Sequence, residues 1–335
     1  MRRVERLFWL LIFVTMVSCD SKNDPSGEPE QPDEGTFEVK WDYLVENGIS
    51  LENQMFIGTR YLGIEDYNGS LATPPSDALY VGAVFTKTNF GKDFEDEVSG
   101  AKNVVSVMAS FGQTIAGLNT EFVPSQFNYK EFIKDILASE EWVKFVGTSH
   151  SPAVYGICNL RSMSNLGYLF PDNPEFAEGM AESIRLRSSI KTPKSLLFGK
   201  IEMQGMRIAM ELPKEGLFVT PPADKEELLY VKSLTYGATA YFVVVSDRTY
   251  DEVMGCFKGL HGSLLDTFKG EGGLLRGSEI YVFITDSTSE NAIVATDVDA
   301  LLDFMTSPFT LQKFGYPLYV DDRSANDDSH LKVSV

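Results

Sequence analysis

Histidine and cysteine are scarce in this chain, with three of each among 335 residues. His150, His261 and His330 stand apart from one another, from cysteine and from carboxylate pairs at ligand spacing, so no metal centre is expected. No Gly-x-Ser-x-Gly elbow is present. Gly270-Glu271-Gly272-Gly273 lacks the strand-to-helix setting and the lysine of a phosphate loop, and reads as a flexible turn. Asp321-Asp322 and Asp327-Asp328 lack EF-hand spacing and read as part of a solvated hairpin turn. The expectation is therefore no enzyme, no metal and no cofactor. Basic residues are also in deficit: 29 Lys and Arg face 48 Asp and Glu, a net charge of −19. That balance argues against nucleic acid as a partner, and against electrostatic docking on anionic lipid. Contact with a membrane surface would then be apolar or made through a receptor.

Long apolar runs are missing too. The only marked one, Leu7 to Val17, has 11 residues, where a membrane-spanning helix needs about 20. Placed after Arg2, Arg3 and Arg6, it has the build of a secretory signal peptide. Its end, Met16-Val17-Ser18-Cys19, resembles a lipobox, so residues 1–18 are expected to be removed and Cys19 to carry the lipid. Loss of that +2 segment takes the net charge from −19 to −21. Asp20 to Gly35 holds six acids, three prolines and no aliphatic or aromatic residue. Nothing there can be buried to offset the ordering entropy, so residues 19–35 are expected to form a disordered acidic tether with a reach of roughly 20–25 Å. The expected location is outside the cytoplasm, as an outer-membrane lipoprotein of a diderm bacterium, in a surface-exposed setting. Cys158 and Cys256 lie in unrelated patterns; they either pair or serve as small buried apolar residues.

Residues 36–335 are long enough for one large domain or two ordinary ones. Ala78–Phe85 and Val154–Leu160 read as strands, with helix around Phe132, Ile136, Trp142 and Val146 between them. Gly205–Leu212, Leu228–Leu234, Ala240–Ser246 and Ile280–Thr285 read as further strands, Gly237 marking a bend between the second and third. Asp297 caps a helix through Val298, Leu301, Leu302 and Met305. Gly315–Val320 and His330–Val335 read as the arms of a closing hairpin. Two insertions differ in character, residues 173–200 and 248–276. In the second, Val253, Phe257, Leu260, Leu264 and Phe268 fall on one helical face, yet Gly255, Gly259 and Gly262 each cost a helix about 1 kcal/mol relative to alanine. Such a helix is either one that packs on the core and tolerates glycine, or one that later unwinds.

Glu211-Leu212-Pro213-Lys214 and Leu229 to Phe242, with Tyr236-Gly237 and Tyr241 at its centre, resemble the central strands of the thiol-activated, or cholesterol-dependent, cytolysins. Those strands enter through a "DLP" turn and run through "V-x-Y-G-R-x-x-Y". Gly315-Tyr316-Pro317-Leu318-Tyr319-Val320 resembles the family's closing "P-I-S-Y-T" strand, and weaker similarity surrounds Phe56-Ile57-Gly58 to Gly82-Ala83. The resemblance implies an α+β fold of the perforin-like superfamily: a bent antiparallel sheet flanked by two helical clusters. In that family each cluster unfurls into a strand pair, and many copies close a barrel in a bilayer. The two insertions fall where the clusters belong. In the second, Val253, Gly255, Phe257, Gly259 and Leu265 form an uncharged alternate set, a candidate membrane-inserting face, while Glu252, Lys258 and Asp266 occupy the other parity. In the first, Glu178 and Glu182 share a parity with Phe176, Met180 and Ile184, so alternation fails there. The family's C-terminal membrane-recognition domain finds no match before Val335, so cholesterol binding is not expected. Thr285-Asp286 also stands where the family places a Gly-Gly hinge. Two functions follow as expectations. One is a surface-anchored, oligomeric protein that forms pores in or perturbs a lipid membrane; the other is a non-lytic surface binding or adhesion module on the same fold.

Overall fold

The computed structural model describes residues 61–63, 79–90, 94, 96–112, 117–170, 174–257, 264–285 and 293–329. Cys19, the tether, Phe56–Gly58, Gly259 and the arm His330–Val335 lie outside the described residues. The architecture is α+β, an antiparallel sheet with helices on both faces.

Its axis is a pair of long strands, β6 (Ser195–Glu211) and β7 (Leu228–Ser246). β7 is rich in β-branched and aromatic residues and β6 in leucine and methionine, and both are buried along most of their length, as a strand covered on both faces must be. Over Gly237–Ser246, β7 pairs with β6 on one side and, from Thr239, with β8 (Glu279–Thr285) on the other. That half of the sheet is completed by β5 (Val154–Leu160) outside β6 and the short β9 (Ile293–Ala295) outside β8. Nearer its start, β7 lies between β6 and β10 (Tyr316–Ser324). There β3 (Val105–Phe111) and β4 (Asn119–Phe122) extend the sheet beyond β6, and β1 (Tyr61–Gly63) extends it beyond β10. The brief β2 (Val84–Thr86) adds to the start of β7. Residues 195 to 204 and 206 to 211 of β6 thus belong to different halves, and a bulge at Gly205 separates them. Bulges bend the strand that carries them.

At this change of halves, Gly237 packs where a Cβ would come within 2.1 Å of the Met203 carbonyl oxygen and 2.4 Å of Leu318. Gly315, at φ +90°, would in turn place a Cβ 2.0 Å from the Gly237 oxygen. Three segments of backbone cross here, and only glycine lets them close.

Helices cover the sheet. Helix α1 (Gln126–Ala138), capped by Ser125, and α2 (Glu140–Val146), capped by Ser139, set Tyr129, Phe132, Ile136, Trp142 and Phe145 against the β3 half. On the other half the two faces separate with period two. One face, with Leu197, Ala240, Phe242, Val244 and Val282, lies under α5 (Tyr250–Phe257), α6 (Leu264–Lys269) and α7 (Val298–Thr306). The opposite face, with Leu196, Phe198, Tyr241, Val243, Val245, Tyr281 and Phe283, lies under α3 (Leu166–Leu169) and α4 (Pro174–Arg187). No helix among the described residues is long and apolar enough to cross a membrane.

Several expectations change. Leu228–Leu234 and Ala240–Ser246 are one strand, because Gly237 keeps its neighbours on both sides and marks a crossing rather than an end. Leu79–Ala83 is buried but irregular, turning at Gly82 (φ +88°), so the strand there begins only at Val84. The pair Asp321-Asp322 sits in β10, each residue 2% exposed, not in a solvated turn. Asp321 accepts from Arg323 Nε at 3.3 Å and lies 4.0 Å from Arg207.

Candidate membrane-inserting clusters

The two insertions leave the sheet from one rim. Leu160 of β5, Ser195 of β6, Ser246 of β7 and Glu279 of β8 end side by side, through the registers Leu160↔Leu196, Ser195↔Ser246 and Val245↔Glu279. Each insertion therefore bridges two adjacent strands: β5 to β6 for the first, β7 to β8 for the second. Residues 195–200 of the first insertion already belong to β6.

The first cluster is held by rings. Phe170 packs edge-on against Tyr241 and Phe176, each at 5.1 Å, and Phe198 lies 5.9 Å from Tyr241. Ala177, Met180, Ala181 and Ile184 complete its buried face. Its polar attachment to the sheet is concentrated at one residue. Glu279 accepts from the Ser189 backbone N–H (2.8 Å) and hydroxyl (2.5 Å) on one oxygen, and from Tyr281 O–H (2.8 Å) on the other. Partial burial pushes this carboxyl up, but the hydrogen bonds from Ser189, Ser188 and Tyr281 outweigh it and hold it below the usual carboxylate range.

The second cluster puts Val253, Phe257, Leu264 and Phe268 onto the sheet, all buried, as their helical spacing predicts. Leu260 lies outside the described residues, as does Gly262. Phe257 stacks on Phe242, with centroids 5.2 Å apart and planes 17° from parallel, and meets Phe268 edge-on at 6.2 Å. Tyr155 O–H donates to the Phe257 carbonyl at 2.9 Å. At the far end of α6, Lys269 bonds Asp297 (2.9 Å), the cap of α7, and Asp299 (2.5 Å) in its first turn.

The candidate inserting set is split by this packing. Val253 and Phe257 face inward, whereas Gly255 is exposed and Leu265 is 42% exposed. A set chosen at period two cannot share a helical face, so the structure brings together only its i, i+4 members. A Cβ added at Gly255, or at Gly179 in α4, would meet nothing within 4 Å. Neither glycine is required by packing.

Of the family-like core residues, Tyr241 lies under the first cluster and Gly237 at the crossing. Tyr236 shares a hydrogen bond with Tyr129 (3.0 Å), and Pro317 sits opposite it in β10. Thr285 is buried and donates to the Thr239 carbonyl, while Asp286 lies outside the described residues. Cys158 and Cys256 are both free and belong to opposite faces of the sheet. No group of His, Cys, Asp and Glu that could hold a metal occurs among the described residues.

The overall fold is shared with solved structures of toxins. The human-specific toxin intermedilysin superposes with a TM-score of 0.53 at 16% identity, over 81% of this chain and 60% of its own. The cytotoxin suilysin from Streptococcus suis gives 0.56 at 16%, over 81% and 61%. Pneumolysin gives 0.54 at 18%, over 77% and 59%. The chain has the cholesterol-dependent cytolysin core fold. It spans about 60% of the length of the structures it resembles. No protein-family profile matches the chain, and no curated protein does. Sequence reasoning missed the Glu279 attachment, the Lys269 bridge and the short strand β9, since each depends on partners distant in the chain.

Proposed function

We propose that this chain is a lipid-anchored protein of the outer membrane that forms oligomeric pores in, or otherwise perturbs, a target bilayer. The observation that carries the reading is the placement of two helical clusters on opposite faces of one sheet, each linking neighbouring strands at the same rim. Unfurling either cluster would lengthen two strands already paired through the sheet and need not break the core. There are 34 residues between Leu160 and Ser195, and 32 between Ser246 and Glu279. A barrel strand takes about 9–11 residues, so each segment has length for a spanning hairpin.

Assembly has a physical route as well. Among the described residues, β5 pairs only with β6, and the outer edge of β8 is covered by three residues of β9. Edge strands whose cover is this short are templates for pairing with another chain. Displacing β9 would let β8 of one copy meet β5 of the next. Cys19 would supply the anchor, in keeping with the lipobox and acidic tether.

The test is dye release from liposomes, with a locked control. Ser189→Cys and Glu279→Cys, joined by a short thiol crosslinker in a chain with Cys158→Ala and Cys256→Ala, tie the first cluster to the sheet. Release that disappears on crosslinking and returns on cleavage supports the reading. A chain that never releases dye from any vesicle, and never forms rings or arcs, leaves the fold serving as a non-lytic binding module.

A further inference from the structure

Charge is unevenly spread over this acidic protein. From Arg185 to Lys194, the last turn of α4 and the link to β6 hold four cations and no carboxylate, in a chain with 48 acids and 29 cations. Arg187, Lys191 and Lys194 from this stretch are exposed, as are Arg248 after β7 and Arg276 before β8. Arg161, also exposed, follows β5. Every one of these residues lies in a connection that starts or ends at the shared rim of Leu160, Ser195, Ser246 and Glu279.

The acids of the same rim are partly engaged. Glu279 is held by Ser189 and Tyr281, and Glu252 accepts from the Thr249 backbone N–H (2.8 Å) and hydroxyl (2.9 Å). Asp247, Asp251 and Glu271 remain exposed. Arg187, Lys194, Arg248 and Arg276 close no ion pair among the described residues. Two cations nearby are committed elsewhere: Arg185 pairs with Glu182, and Lys269 with Asp297 and Asp299.

The geometry points to the rim as a docking surface for an anionic phospholipid bilayer. This rests on the pore-forming reading above, and names the kind of membrane it would act on. A hairpin extending from these strand ends leaves its flanking residues at the level where sheet meets headgroups. Arg161, Lys194, Arg248 and Arg276 stay within three residues of a strand end whether the clusters are packed or extended, and Arg187 and Lys191 join them in the packed state. Each basic residue near an anionic surface strengthens partitioning about fivefold at low salt, and the gain fades within a Debye length. The whole-chain balance of −19 conceals this, because screening makes the local charge the one a membrane meets.

The experiment is co-sedimentation of the chain from residue 19 onward, carrying Cys19→Ser so that no acyl group contributes. Vesicles are phosphatidylcholine alone, or with one third phosphatidylglycerol, at low and at physiological salt. Binding to the anionic vesicles at least tenfold tighter than to the neutral ones, weakening with salt, is the expected result. Arg187→Glu/Lys194→Glu/Arg248→Glu should abolish that preference. Lys134→Glu/Lys214→Glu/Lys225→Glu, the same change of charge away from the rim, should keep it, with melting curves checking the fold of both. Equal binding to neutral vesicles overturns the proposal, as does a rim variant that binds like its control. Binding to soluble heparin as tight as to the anionic vesicles also overturns it, since the rim would then be a general polyanion site. Dye release measured alongside separates the two claims. Selective binding without release upholds the docking surface and counts against pore formation; equal release from both vesicles does the reverse.

Discussion

Phe257 of the second cluster lies flat on Phe242 of β7, and Gly199 of β6 makes the room for it. A Cβ at Gly199 would stand 2.0 Å from the Phe242 ring, so the side chain that is missing from one strand seats the ring that receives the helix. Phe257→Ala should therefore cost about 3–5 kcal/mol, the range for emptying a buried phenylalanine site. Gly199→Ala, which overpacks the same site from below, should cost about 1–3 kcal/mol. Hydrogen exchange should show the loss concentrated in Tyr250–Lys269, with the amides of β3 and α1 little changed. A uniform loss across the domain would mean that the cluster is no separable unit.

Gly255 and Gly179 give the opposite handle. Both lie within helices, and neither has a neighbour that would meet a Cβ. Gly255→Ala and Gly179→Ala should each stabilise the packed helix by about 1 kcal/mol, and slow any step that unwinds it by about fivefold. The check is the initial rate of dye release set beside the melting temperature. Stability that rises while release stays unchanged would show that the helices do not unwind in the slow step.

The attachment of the first cluster should depend on pH in a definite direction. Hydrogen bonds hold the Glu279 carboxyl below its ordinary value of 4.5, so the folded state favours the ionised form. Its contribution is present above 4.5 and is lost as pH falls through the lower folded value. Glu279→Gln should remove about 1 kcal/mol near neutrality and flatten the stability profile of α4 below pH 5. Thermal melts of both proteins across this range decide it.

What the sequence discloses and what it hides divide along physical lines. Val154–Leu160 and the helix capped by Asp297 are legible because their signals are local: a short apolar run, or a cap followed by a 3.6-residue period. The continuity of β7 is not, because a glycine forced by the Met203 oxygen looks, without its neighbours, like one that ends a strand. Asp321-Asp322 misleads in the same way. Two adjacent acids read as a turn, and only the arrival of Arg323 and the more distant Arg207 accounts for the burial of Asp321.

The clusters show the same division. Helical spacing identifies Val253, Phe257, Leu264 and Phe268 as an inward face, which is how they pack. The alternate set Val253, Gly255, Phe257 and Leu265 describes another conformation of the same segment, and the packed state does not display it. The Ser189–Glu279 bond spans 90 positions, beyond the reach of any local pattern.

The cysteines offer a chemical check on the sheet. Burial pushes the Cys158 thiol up to about 12, on the face covered by α4, while Cys256 is half-buried on α5. The folded chain should show no disulfide between them. Cys256 should react with a maleimide in the native state, and Cys158 only after denaturation. Rapid labelling of Cys158 during dye release would report that the first cluster has left the sheet.

His150 supplies the last expectation. Its ring packs edge-on against Phe145 at 4.7 Å and Phe309 at 5.4 Å, and its buried Nε2 has no hydrogen-bond partner. Burial lowers its pKa from the ordinary 6.5, against a smaller opposing effect from the Val146 backbone. Protonation therefore favours the unfolded chain. The stability that goes with neutral His150 is complete above pH 6.5 and drains away as pH falls towards the lower folded value. His150→Phe keeps an aromatic ring in the site and removes the proton. It should match the parent at pH 8, and melt at a higher temperature than the parent at pH 5.5. Parallel melting curves over that whole interval would mean that His150 is solvated and that the Phe145–Phe309 contact does not bury it. Because this site packs with α2 against the β3 half of the sheet, which carries neither cluster, the variant should leave dye release at neutral pH unchanged.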